Sequence, residues 1–143
     1  MSVQTFAAPQ APLSSGPGRA SLSGRAVLIV EDEMFIACDI AYGVEDAGGS
    51  VVGPASTVED ALALLATHEI HGAILDVNLL DGDVTPVLQR LVRDGVAVIV
   101  NTGTARPWDM ERHYPFVPVF TKPTEPETLA EALAGQIDGA PVR

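Results

Sequence analysis

Five short apolar runs, alternating with stretches of helical spacing, constrain this chain more than any other feature. Ala26-Val27-Leu28-Ile29-Val30 is a continuous run that suits a strand buried on both faces, as parallel sheets require. Residues 50–53, 72–76, 96–100 and, more weakly, 117–121 repeat the theme. After the first run, Ile36, Ile40, Val44 and Ala47 form one helical stripe that should end at Gly48-Gly49. Ser56-Thr57-Val58-Glu59 reads as a capping box opening a second helix that packs Ala61, Leu62, Leu65 and Ala66 inward. A polar loop with Asp81-Gly82 leads into a third helix through Val84, Val87, Leu88 and Leu91. Pro107 and Pro115 bracket a short fourth helix, and Thr124-Glu125-Pro126-Glu127 reads as a second capping box before Leu129 and Leu133. Five βα units joined by right-handed crossovers predict an α/β fold, a doubly wound five-stranded parallel sheet of flavodoxin-like type. Its functional crevice belongs at the carboxyl ends of the strands.

Composition narrows the function classes. A chain of 143 residues with 47% apolar and 19% charged residues holds about one globular domain. Eight Lys and Arg against 19 Asp and Glu give a formal charge of −11, which repels a phosphate backbone and argues against direct nucleic-acid binding. Residues 1–24 are rich in Ala, Pro, Ser and Gly and read as a flexible tail without a secretory signal. No stretch has the 18 or so uninterrupted apolar residues of a membrane span, so a cytoplasmic location is expected. The single cysteine, Cys38, lies in an apolar run and reads as a buried structural thiol. His68 and His71 lack a neighbouring ligand set and read as solvated histidines, whereas Trp108, His113 and Tyr114 suit either a partner surface or ordinary packing.

The strand ends are polar where apolar residues would be ordinary. The first ends in Glu31-Asp32-Glu33, the third in Asp76, the fourth in Asn101-Thr102-Gly103 and the fifth in Thr121-Lys122-Pro123. Converging carboxylates about 4 Å apart repel by roughly 4 kcal/mol at an effective dielectric near 20. A hard cation such as Mg²⁺, together with Lys122, would offset that repulsion. An Asp in such a place is a candidate nucleophile toward a phosphoryl group, with Thr102 and Lys122 among the groups that could stabilise the developing charge.

These residues resemble the receiver domains of two-component response regulators. Val27-Leu28-Ile29-Val30-Glu31-Asp32-Glu33 looks like the family's first strand and acidic pair, and Ile74-Leu75-Asp76-Val77-Asn78-Leu79 looks like its phosphoacceptor segment. Thr102 and Lys122-Pro123 follow where the family keeps its switch hydroxyl and its lysine. The resemblance covers residues 25–137, between the tail and a short C-terminal tail at 138–143. It implies that Asp76 accepts a phosphoryl group from a histidine kinase or a histidine phosphotransfer protein. It also implies Mg²⁺ held by Glu31, Asp32, Asp76 and the backbone carbonyl of Asn78, and a cis peptide at Lys122-Pro123. Output is expected through another protein, by relay or by phosphorylation-dependent binding at the face of the fourth helix, fifth strand and fifth helix. A stand-alone receiver is the expectation, monomeric before phosphorylation and with dimerisation open afterwards.

Three positions depart from the family's habit. Glu31 replaces the more usual Asp, Leu79-Leu80 stands where a proline is frequent, and Val119 occupies a position that often carries a rotating aromatic ring. Two alternatives therefore stand beside the main reading. One is a degenerate receiver that binds proteins without phosphorylation. The other is a small aspartyl-phosphate phosphohydrolase, whose Asp, Thr and Lys order Asp76, Thr102 and Lys122 mimic.

Overall fold

A computed structural model of the protein describes residues 21–103 and 108–139. In chain order the elements are β1 (Ala26–Val30), α1 (Met34–Asp46), β2 (Ser50–Ala55), α2 (Val58–Thr67) and β3 (Gly72–Leu75). Then come β4 (Asn78–Leu79), β5 (Gly82–Asp83), α3 (Thr85–Arg93), β6 (Ala97–Thr102), α4 (Trp108–His113), β7 (Val119–Thr121) and α5 (Pro126–Asp138). The main sheet has five parallel strands in the order β2-β1-β3-β6-β7, which is the predicted doubly wound architecture. The chain reverses its direction of winding at β1, so the strands beside it, β2 and β3, leave a crevice above their carboxyl ends.

Alternation along the central strands divides the core between two layers. Val27, Ile29, Ile74 and Ile99 face α1 and α5, where Ile40, Val44, Leu129 and Leu133 complete one cluster. Leu28, Val30, Leu75 and Val100 face the other way, against Ala61, Val87, Leu88 and Leu91. A continuous apolar run is needed because both faces are covered.

Several local expectations give way to tertiary contacts. The polar loop after Asp76 contains an antiparallel hairpin, with Asn78 opposite Asp83 and Leu79 opposite Gly82. The cap of α2 is Thr57, one residue later than the Ser56 box implies, and its hydroxyl accepts from Asp60 N–H at 3.0 Å. The cap of α5 is Glu125 without a side-chain bond, because the Thr124 hydroxyl donates backward to the Thr121 carbonyl at 3.0 Å. Ala66 is exposed, and only Ala61 of α2 is fully buried.

Cys38 is also exposed, contrary to the buried thiol expected from its apolar neighbours. Ala37, Ile40 and Val44 take the inner face of α1, and one residue beyond Ala37 the helix has turned outward. His71 is not a solvated histidine: Ala26 N–H donates to its Nδ1 at 2.9 Å, which joins the starts of β1 and β3. Order also extends past the expected tail boundary. Leu22 is fully buried and its N–H donates to the Ala47 carbonyl at 3.0 Å, so the chain is packed before β1 begins. At the other end Asp138 closes α5 and pairs with Arg25 at 3.4 Å. The expected first turn at Pro107, and Thr104 beside the switch hydroxyl, lie outside the described residues.

Candidate functional site

Parallel register brings the polar strand ends together. Val30 of β1 is level with Leu75 of β3, and Leu75 with Val100 of β6, so Glu31, Asp76 and Asn101 each follow at the same rim. Asp76 N–H donates to the Val30 carbonyl at 2.8 Å, which continues the ladder up to the carboxylate. β7 pairs Thr121 with Thr102, and Lys122 N–H donates to the Thr102 carbonyl at 2.8 Å. The lysine therefore leaves the sheet two strands away from Asp76. The Lys122-Pro123 peptide is cis, as the resemblance implied, and a second cis peptide stands at Gly53-Pro54.

The side chains meet over that rim. Lys122 Nζ lies 3.0 Å from Glu31 Oε1 and donates to Glu31 Oε2 at 3.2 Å and to Asp76 Oδ2 at 3.1 Å. Asp76 Oδ1 accepts from Val77 N–H at 2.7 Å, which fixes the plane of the carboxylate. Glu31 Oε2 also accepts from Glu33 N–H at 3.1 Å. Glu31 and Asp76 are buried and Asp32 is half-buried, and the three offer carboxylate oxygens within 4.8 Å of one another. Thr102 is buried at the end of β6 beside Asn101, whose Oδ1 is buried without a hydrogen bond. Asn78 sits on β4 with its side chain exposed.

The donor set fits a hard divalent cation. Glu31 Oε1 is buried and, although close to the ammonium, accepts no hydrogen bond of good geometry, so a lone pair is left over. Glu31, Asp32 and Asp76 offer hard oxygen donors within 4.8 Å of one another, the ligand type that Mg²⁺ takes.

Electrostatics single out Glu31. Burial pushes its carboxyl above the ordinary value of 4.5, against the Glu33 N–H and Lys122 bonds, and the Asp76 charge adds to the rise. In the absence of metal the folded protein therefore keeps this proton to higher pH than the unfolded chain. Stability should then fall as pH rises from 4.5 through the raised value. Glu31→Gln, which cannot ionise, is expected to remove that component. Urea midpoints in chelator at about pH 5 and about pH 7.5 should drop further for the native chain than for the variant. Equal drops would mean that Glu31 is not the source.

No family model matches the sequence, and no curated protein does. Solved structures do match. The solution structure of SdrG from Sphingomonas melonis Fr1 is 33% identical, with a TM-score of 0.66 over 80% of this chain and 96% of that one. A CheY-like response regulator receiver domain protein from Methanospirillum hungatei JF-1 is 25% identical, with a TM-score of 0.71 over 80% of this chain and 94% of that one. The chain belongs to the response regulator receiver family. The response regulator PhyR from Brucella abortus is 27% identical with a TM-score of 0.68, matching 84% of this receiver and 50% of that chain. The receiver thus spans about half the length of that relative.

One residue outside this cluster carried no sequence signal as a partner of α2. Asp81, at the turn between β4 and β5, accepts from Val58 N–H at 2.7 Å and Glu59 N–H at 3.2 Å. A contact across 22 or 23 residues has no local period to betray it.

Proposed function

We propose that this receiver domain accepts a phosphoryl group on Asp76 from a phosphohistidine of a kinase or phosphotransfer protein, in a Mg²⁺-dependent step. The observation that carries the reading is the Lys122 ammonium bridging Glu31 and Asp76 at 3.0 and 3.1 Å above the carboxyl ends of β1 and β3. Glu31, Asp32, Asp76 and the Asn78 carbonyl would hold the ion. When bound, Mg²⁺ supplies positive charge to the phosphoryl oxygens during transfer.

The protein's own part is mostly positioning. Val77 N–H and Lys122 orient the Asp76 carboxylate from its two oxygens, leaving lone pairs for attack on phosphorus. An O–P bond forms as the donor's P–N bond breaks, and the departing imidazole keeps the electron pair and takes a proton. Lys122, already beside Asp76, can follow the phosphoryl oxygens with little movement. The product adds about −1.5 to −2 charge to a rim that is already acidic. Thr102, buried at the end of β6, is the hydroxyl that would answer that charge. Its movement would alter the face formed by α4, β7 and α5, with Val119 offering no ring to turn.

Output is then a protein partner, by relay or by regulated binding. A similar structure, the anti-anti-sigma factor PhyR from Bartonella quintana, is 26% identical, which supports a protein as the target. Intact-mass analysis after incubation with acetyl phosphate and Mg²⁺ tests the chemistry. One labile phosphoryl adduct is expected, lost in Asp76→Asn and in chelator. An adduct that survives in Asp76→Asn would overturn the assignment of the acceptor. Failure with both acetyl phosphate and a kinase panel would favour the phosphorylation-independent binding module.

A further inference from the structure

The β4–β5 hairpin is too short to hold its own shape. It consists of two paired positions on each side, and isolated hairpins even of ordinary length are marginal in water. Its base is secured by Val84 N–H, which donates to the Val77 carbonyl at 2.9 Å, and Leu79, next to the turn, buries its side chain in the core. The turn beyond Leu79 is in solvent, with Leu80 74% exposed. What reaches out from the tip is the Asp81 carboxylate, each oxygen of which accepts a backbone N–H from the first two residues of α2. Those are orphan donors that a helix start cannot satisfy internally. The third orphan, Asp60 N–H, is served by Thr57. The Val58 N–H bond is the main reason why the Asp81 carboxyl is held below its ordinary range, although the side chain is in solvent.

We propose that Asp81 is a positioning residue for the metal end of the site, tying the β4–β5 turn to α2 and so fixing the strand that carries Asn78. The inference rests on the proposed Mg²⁺ site, in which the Asn78 carbonyl is a ligand three residues before Asp81. β4 starts two residues after Asp76, and beyond the buried Leu79 the turn is held by α2 through the Asp81 carboxylate. Loosening this tie lets the carbonyl wander while leaving the three carboxylates in place. Metal affinity therefore falls before the fold does.

Mg²⁺ titration of the full chain, followed by amide NMR shifts and by calorimetry, separates this role from simple helix capping. Thr57→Ala removes a cap bond from the same helix start but leaves the hairpin tie intact. It should lower the melting temperature without changing the Mg²⁺ dissociation constant. Asp81→Ala should lower the melting temperature and also weaken Mg²⁺ about tenfold, the lower range for groups that orient metal ligands. Asp81→Asn, which retains an acceptor oxygen, should recover part of the affinity and stands in if the alanine variant fails to fold. Mg²⁺ dissociation constants within twofold of the native value in both Asp81 variants would overturn the proposal while leaving the metal site standing. A native chain that does not bind Mg²⁺ would instead overturn the metal site itself, and this inference with it.

Discussion

Lys122→Met should slow phosphoryl uptake from acetyl phosphate by about 10²–10³-fold, the usual loss when one preorganised charge partner of a developing oxyanion is removed. Methionine keeps the apolar stem, so the effect isolates the ammonium. Burial is the largest single influence on Lys122 and pulls its pKa down, but the hydrogen bonds and charges of Glu31 and Asp76 together outweigh it and hold the group above 10.5. It is a fixed charge at neutral pH and cannot act as a base. Its removal leaves Glu31 and Asp76 facing each other, which Glu31 can relieve by taking up a proton because burial already raises its pKa. The variant should therefore fold, and circular dichroism run beside the intact-mass time course checks that. Lys122→Arg should restore the charge but only part of the rate, since a planar fork does not reproduce a compact ammonium that contacts two carboxylates. Uptake by Lys122→Met within a few-fold of the native rate would remove the lysine from the chemistry.

The second large effect has a sign that helix propensity gets wrong. Gly43 lies inside α1, where Gly→Ala ordinarily stabilises by about 1 kcal/mol. In the fold, a Cβ at Gly43 would meet the Pro126 Cβ at 2.8 Å and the Pro126 carbonyl oxygen at 2.9 Å. Both belong to the rigid start of α5, so the two helices must separate. Overpacking of this kind costs roughly 1–3 kcal/mol. Gly43→Ala should thus lose the usual helix gain and destabilise on balance by up to about 2 kcal/mol, lowering the thermal midpoint by roughly 4 °C per kcal/mol. A raised midpoint would show that α1 and α5 are not in contact at this point. The displaced α5 begins just after Lys122-Pro123, so the variant also tests whether the lysine depends on that packing.

Much of this protein could be read from residue order alone, and the reason is periodicity. The runs at 26–30, 72–75 and 97–100 are apolar at consecutive positions because helices cover both faces of the sheet, and two covered faces leave that mark on each central strand. Val87, Leu88 and Leu91 likewise gave α3 its inner face in advance. Glu31, Asp32, Asp76, Thr102 and Lys122 were legible as a group because each follows such a run, where an apolar residue would otherwise be ordinary.

The tertiary structure decided whatever depends on which distant groups arrive first. Thr57 rather than Ser56 caps α2, and the first two amides of that helix are taken by Asp81 from another element. Cys38 points outward because the phase of α1 is set by Ala37, Ile40 and Val44 against the sheet, not by the apolarity of its neighbours. His71 binds the Ala26 N–H, and Leu22 is drawn under the end of α1, through contacts that span 45 and 25 residues. Sequence by itself determined the βα order and the set of polar strand ends, since both follow from local burial repeated along the chain. The distances among the carboxylates and Lys122, the hairpin tie at Asp81 and the closeness of Gly43 to Pro126 were settled only by packing, because pairs far apart in sequence have no local pattern to record them.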